Sequence, residues 1–124
     1  MSHLELRARM TIRPGHLDGF KAQAAELLRL TRELDTQTLR YDWYLSPDGT
    51  QCEVHEAYET EEGLFEHNDH IKDARATLFR DYADNHHMSA YGDVSPQLME
   101  LSRIHAGGLE HYSFLAGMQS QPTV

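Results

Sequence analysis

The chain has 124 residues, one domain by the usual span of about 100–200 residues, and enough to bury a core without metal or disulfide staples. Hydrophobic residues make up 40% and charged residues 25%, a balance too apolar for a disordered chain. The formal charge of −9 argues against nucleic acid and anionic membrane surfaces as partners, because both attract cations.

Leu4, Leu6, Ala8, Met10 and Ile12 alternate with Glu5, Arg7, Arg9 and Thr11, the period of a half-buried strand. Pro14-Gly15 breaks it. From His16 the apolar spacing changes to three and four through Leu17, Phe20, Ala24, Leu27, Leu28 and Thr31, predicting an amphipathic helix of about five turns. Leu39 to Leu45 and Cys52 to Tyr58 flank a Pro-Asp-Gly turn and predict a hairpin. Leu39, Tyr41, Trp43 and Leu45 are expected on one face of its first strand, and Cys52, Val54, Glu56 and Tyr58 on one face of its second.

Thr60 is placed to cap a second helix, with Glu61 and Glu62 at its positive end. Its stripe runs through Leu64, Phe65, Asn68 and Ile71 to Ala74, Leu78, Phe79 and Tyr82, with a break expected at Asn68-Asp69. His86 to Tyr91 reads as a strand, and Ser95-Pro96 opens a short helix with Leu98, Leu101 and Ile104 inward. Gly107-Gly108 stops that helix, and Glu110 to Leu115 reads as a last strand.

Cys52 is the single cysteine, so no internal disulfide can form and a reducing, cytoplasmic compartment is expected. No apolar run approaches the roughly 18–20 residues of a spanning helix, and residues 1–9 lack the apolar stretch of a secretion signal.

The element order predicts an α+β fold, a four-stranded antiparallel sheet with two helices on one face and a C-terminal helix-strand extension. Alternating apolar residues are expected on the other face too, which predicts a homodimer packed sheet to sheet. The divisions are residues 1–93 for the main domain, 94–118 for the extension and 119–124 for a tail.

Several segments carry a family resemblance. Arg13-Pro14-Gly15-His16-Leu17-Asp18-Gly19-Phe20, the hairpin from Tyr41 to Asp48, Glu56 to Leu64, and His67-Asn68-Asp69-His70-Ile71 stand in the order found in antibiotic biosynthesis monooxygenases. Over roughly residues 4–92 the chain resembles that family, which implies a ferredoxin-like protomer and a dimeric α/β barrel. The resemblance further implies a cofactor-independent oxygenase of a quinol, anthrone or similar aromatic. Similar barrels also degrade haem or bind small molecules without turnover, and both stand as alternatives.

His67 and His70 are three apart at helical spacing, so either is a candidate base for a phenolic proton; the bland reading is a solvent-facing residue and a local cap. In the oxygenase reading Asn68 would hydrogen-bond the developing oxyanion. Trp43, Tyr41 and Tyr58 can hold a flat ring, although such aromatic strand stripes more often form core or dimer contacts. His55 is a further binding candidate, on the opposite strand face from Tyr58. His86 and His87 point to opposite faces and cannot share one metal. No metal-ligand spacing, glycine-rich phosphate loop or other cofactor motif occurs, so neither metal nor cofactor is expected. Cys52 reads as a small core residue.

Overall fold

The computed structural model describes residues 4–106 and 108–119. The first strand, β1 (Leu4–Ile12), buries Leu4, Leu6, Ala8, Met10 and Ile12 and turns Glu5, Arg7 and Arg9 outward, as the alternation predicts. Gly15, at φ +79°, turns the chain into α1 (Leu17–Leu34), whose five turns bury Phe20, Ala24, Leu27 and Thr31. Strands β2 (Thr38–Leu45) and β3 (Gln51–Tyr58) form the expected hairpin. Its turn is held by Asp48, whose Oδ1 accepts hydrogen bonds from Ser46 Oγ, Thr50 Oγ1 and the Thr50 N–H.

Helix α2 (Glu61–Asp81), strand β4 (Ala83–Tyr91), helix α3 (Pro96–Ala106) and strand β5 (Glu110–Tyr112) complete the chain. The sheet order is β2-β3-β1-β4-β5, and its first four strands are antiparallel, the ferredoxin-like arrangement. β1 is central, with Ala8 opposite both Val54 and Met88. The core lies on one face as two clusters beneath opposite ends of β1. Met10, Phe20, Leu27, Val54, Ile71 and Leu78 build one, and Leu4, Leu6, Tyr58, Leu64, Ala90 and Leu98 the other. Among the described residues no helix is long and apolar enough to cross a membrane.

Six sequence expectations are corrected. First, α2 runs unbroken through Asn68 and Asp69. Those residues each cost a helix only several tenths of a kcal/mol, which the burial of Leu64, His67 and Ile71 on one stripe outweighs. Second, Thr60 is the N-cap residue of α2, but its side chain makes no capping hydrogen bond and is turned instead to Gln37, donating to Oε1 at 2.8 Å. Third, Leu39 is 54% exposed and parts from Tyr41 and Trp43, because the register slips one residue between Thr38 and Arg40; Leu45, at the strand end, is exposed as well. Fourth, β4 begins at Ala83, three residues earlier than expected, through a bulge in which Asn85 takes φ 55°. Fifth, β5 ends at Tyr112 rather than Leu115, and it joins the four expected antiparallel strands as a fifth, parallel to β4.

Sixth, the sheet face away from the helices is not a second apolar face. Arg7, Arg9, Glu53 and His55 occupy it, with Arg9 donating twice to Glu53 at 3.2 and 3.0 Å. Each strand has one apolar parity, and that parity is spent on the helices. In α3, Leu98 is buried and Leu101 half-buried, whereas the Ile104 side chain lies outside the described residues.

Helix α2 approaches the sheet closely at Gly63, where a Cβ would stand 2.8 Å from Gln37 Cβ and 3.3 Å from Tyr58 Cβ. Gly63→Val therefore lowers the unfolding free energy in urea by about 1–3 kcal/mol. A variant as stable as the parent would show that α2 can lift without cost.

Candidate active site

Helix α1 ends at Asp35, whose backbone N–H donates to Thr31 O and whose extended φ/ψ of −74° and 142° leads toward β2. Its side chain is 1% exposed. Three donors satisfy the carboxylate: Thr38 Oγ1 at 2.6 Å and His67 Nδ1 at 2.7 Å on Oδ2, and His70 Nδ1 at 2.7 Å on Oδ1. His67 and His70 straddle it because residues three apart share a helix face. One residue earlier, Glu66 accepts from the backbone N–H and the hydroxyl of Thr36, both at 2.8 Å. Burial pushes the Asp35 carboxyl up, but the hydrogen bonds from His70, Thr38 and His67 outweigh it and leave it below the usual carboxylate range.

The His67 imidazole is 1% exposed and stands between two phenol rings. The Tyr41 ring meets it edge-on with centroids 4.5 Å apart, and the Tyr58 ring lies tilted at 5.4 Å. Tyr58 donates its hydroxyl to Glu56 Oε1 at 2.5 Å. Burial and then the Glu56 carboxylate push both phenols well above their ordinary pKa, so both stay protonated near neutrality.

Between the helices and the sheet lies a mostly apolar cavity of about 640 Å³. Met10, Leu27, Val54, Phe79 and Met88 form much of its wall, and Leu98 and Leu101 of α3 close one side. Glu61 holds α3 there by accepting from the Ser95 N–H at 2.7 Å and hydroxyl at 2.6 Å, while Ser95 Oγ caps the helix at Leu98 N. The polar groups on the wall include His67, Glu56, Arg75 and His86. Trp43 also lines it, and its buried Nε1–H has no acceptor among the described residues.

Four of the residues singled out from sequence meet at this cavity: His67, Tyr41, Trp43 and, at the exposed rim, Asn68. Tyr58 stands behind His67, fully buried and off the cavity wall. His70 faces the other side of Asp35, with its side chain 24% exposed. His55 lies on the opposite sheet face, 3.3 Å from Glu53 and against the Tyr44 ring. The bland reading of His67 as solvent-facing is overturned by its burial against Asp35, and that of His70 as a local cap by its bond to a carboxylate 35 residues away. Cys52 is buried, and that burial raises its thiol to about 11, as fits an inert core residue.

Sequence reasoning missed Asp35, Glu56, Arg75 and His86 as cavity or site groups. Asp35 reads locally as a helix-ending residue, and its partners lie 32 and 35 positions away. His86 had a usable signal, the strand parity that sends one of His86 and His87 inward. It is the inward one: His86 lines the cavity beside the Phe79 ring at 4.5 Å, and His87 is exposed. Burial, with Arg75 and then His87 adding to it, lowers the His86 pKa to about 4. Asp35, Glu66 and His70 also offer ligand atoms within 4.8 Å of one another, but those side chains are already hydrogen-bonded to one another or to Thr36.

Residues 4–91 match the family model described as antibiotic biosynthesis monooxygenase. No curated protein matches the chain. Among solved structures, MupZ from Pseudomonas fluorescens is similar with a TM-score of 0.77 and 21% identity, over 100% of this chain and 98% of that one. Rv0793 from Mycobacterium tuberculosis gives 0.65 at 23% identity, over 76% of this chain and 97% of that one. PA3566 from Pseudomonas aeruginosa gives 0.63 at 19% identity, over 77% and 97%. These likenesses concern the fold, and the one to MupZ takes in α3 and β5 as well.

The low His86 pKa has a consequence for stability. Below about pH 6.5 the unfolded chain takes up a proton that folded His86 refuses until about pH 4, so its contribution is present above that window and lost as pH falls through it. Between pH 7 and pH 5 the loss amounts to about 2 kcal/mol. Urea unfolding of His86→Gln at both pH values should show a drop smaller by that amount than the parent's. Identical pH dependence in the two proteins would mean that His86 is solvated.

Proposed function

The chain belongs to the antibiotic biosynthesis monooxygenase family, and from that premise we propose that it oxygenates an electron-rich aromatic, a quinol or anthrone, by deprotonating it for direct reaction with O₂. The observation that carries this reading is the buried Asp35–His67 pair, whose imidazole lines an apolar cavity. An ionised carboxylate only accepts hydrogen bonds, so Asp35 holds the proton of His67 on Nδ1 and leaves the lone pair on Nε2. Nε2 then takes the acidic proton of the substrate, and Asp35 stabilises the imidazolium that forms.

Tyr41 and Trp43 hold the ring system, and Tyr58 supports His67 from behind. The unpartnered Nε1–H of Trp43 is the buried donor suited to the substrate oxyanion, with the Asn68 amide assisting from the rim. The substrate anion passes one electron to O₂, the resulting radical and superoxide combine, and the peroxide loses water. An anthrone CH₂ thereby becomes a carbonyl with one oxygen atom from O₂, the other leaving as water. His70 acts as a positioning residue on Asp35, and His55 has no part in the reaction.

The working unit in this reading is a homodimer. Its support is the exposed apolar side chains of Phe114, Leu115 and Met118 after β5, which call for a cover, together with mixed charges on the outer sheet face that suit self-association.

Oxygen uptake by chelator-treated protein on a panel of quinols and anthrones tests the chemistry. His67→Ala should lower kcat by about 10²-fold or more, Asp35→Asn by a similar factor through the wrong tautomer, and His70→Ala by much less. Full turnover in His67→Ala would remove it as the base. Sedimentation equilibrium should give the dimer mass, and Leu115→Asp with Met118→Asp should shift it toward the monomer. A monomeric parent protein at micromolar concentration would overturn the dimer.

A further inference from the structure

The cavity wall carries two cations, Arg75 and Lys72, that have no carboxylate partner among the described residues, in a chain whose formal charge is −9. Arg7, Arg9, Arg13, Arg29, Arg40, Arg80 and Arg103 are each paired with Asp or Glu. Among the described residues Arg75 and Lys72 have no such partner within 4.0 Å, although acidic side chains outnumber basic ones 20 to 11. Lys21 and Arg32 are unpaired too, but both are exposed on α1 away from the cavity. Arg75 is half-buried, with its guanidinium carbon 5.4 Å above the centre of the Phe79 ring. Its charge is felt inside, since it opposes protonation of His86 and favours ionisation of Tyr41.

The placement of the pair is specific. A second hollow of about 530 Å³ shares Lys72, Arg75, Phe79 and His86 with the apolar cavity, so the cations stand where the two join. His67 and Arg75 are eight residues apart on one unbroken helix, about 12 Å along its axis. Of the carboxylates nearby, Glu56 is bonded to Tyr58 beside His67, Asp69 is exposed at the rim three residues before Lys72, and Asp84, which lines the second hollow, is already paired with Arg13 at 3.2 Å.

We propose that the substrate is an acid, a flat apolar ring system bearing a carboxylate that Arg75 and Lys72 bind at the end remote from His67. Arg75 supplies the planar fork suited to a carboxylate, and Lys72 adds charge from the solvent side. The carboxylate orients the ring system so that its ionisable phenol or methylene reaches His67, while Glu56 beside His67 disfavours the reverse orientation. This rests on the oxygenase reading above and names the class of substrate that site takes.

Anthraquinone-2-carboxylate and neutral 2-methylanthraquinone are already oxidised, so their binding tests the preference without turnover. Affinities follow from isothermal titration and from quenching of Trp43, the single tryptophan. The parent should bind the carboxylate about tenfold or more tighter than the neutral compound. Arg75→Gln with Lys72→Gln should erase that preference chiefly by weakening the carboxylate, and Arg75→Lys should keep part of it. Equal affinities in the parent, binding of neither compound, or a preference that survives the double substitution would overturn the proposal. An intact acid preference with no oxygen uptake on any quinol or anthrone would count against the oxygenase reading and leave the acid site standing.

Discussion

A charged carboxylate taken out of water needs hydrogen-bond donors around it, and much of this fold is arranged to bring them to Asp35. The residue sits at the end of α1, where the chain must turn toward β2, and its side chain is 1% exposed. Thr38 supplies one donor from β2, and His67 and His70 supply two from the middle of α2. Three elements far apart in sequence thereby meet at one group. With Glu66 gripping Thr36 beside it, α2 is pinned both along its axis and in rotation. Removing a single donor would leave a buried lone pair unsatisfied, which is why the arrangement holds as a unit.

Fixing the rotation of α2 decides what the cavity contains. His67, Ile71, Arg75 and Leu78 follow one another at spacings of four, four and three, so they fall on the side of α2 that faces the sheet and cavity. The helix places a buried imidazole near one end of the cavity and an unpaired guanidinium toward the other. α3 then closes the side left open by the minimal four-stranded unit, latched by Glu61 to Ser95. The chemistry and the specificity assigned to the site both descend from that one helix orientation.

The two faces of the sheet divide the remaining work. The face toward the helices carries the apolar parity of β1 and β3 and forms the core. The face away from them carries Arg7, Arg9, Glu53 and His55, which satisfy one another in part at the surface. Exposed ion pairs of this kind contribute little to stability, about 0–1 kcal/mol each. The fold therefore rests on the helix-covered face.

Local order was legible in the residues themselves. The alternation of Leu4 to Ile12, the three-four spacing from Leu17, and the Pro-Asp-Gly turn each act over a few residues, so periodicity and turn chemistry determined β1, α1 and the hairpin. The segments quoted from Arg13 to Ile71 were enough to place the chain in its family. Tertiary structure decided the rest. Asn68-Asp69 stays helical because burial on both sides outweighs a small local preference, and Leu39 leaves its face because a bulge shifts the register. Of the two candidate histidines, His67 was brought to the cavity and His70 to its outer side by a carboxylate more than 30 positions away. Side-chain partners that distant leave no trace in local spacing, because only folding brings their elements together.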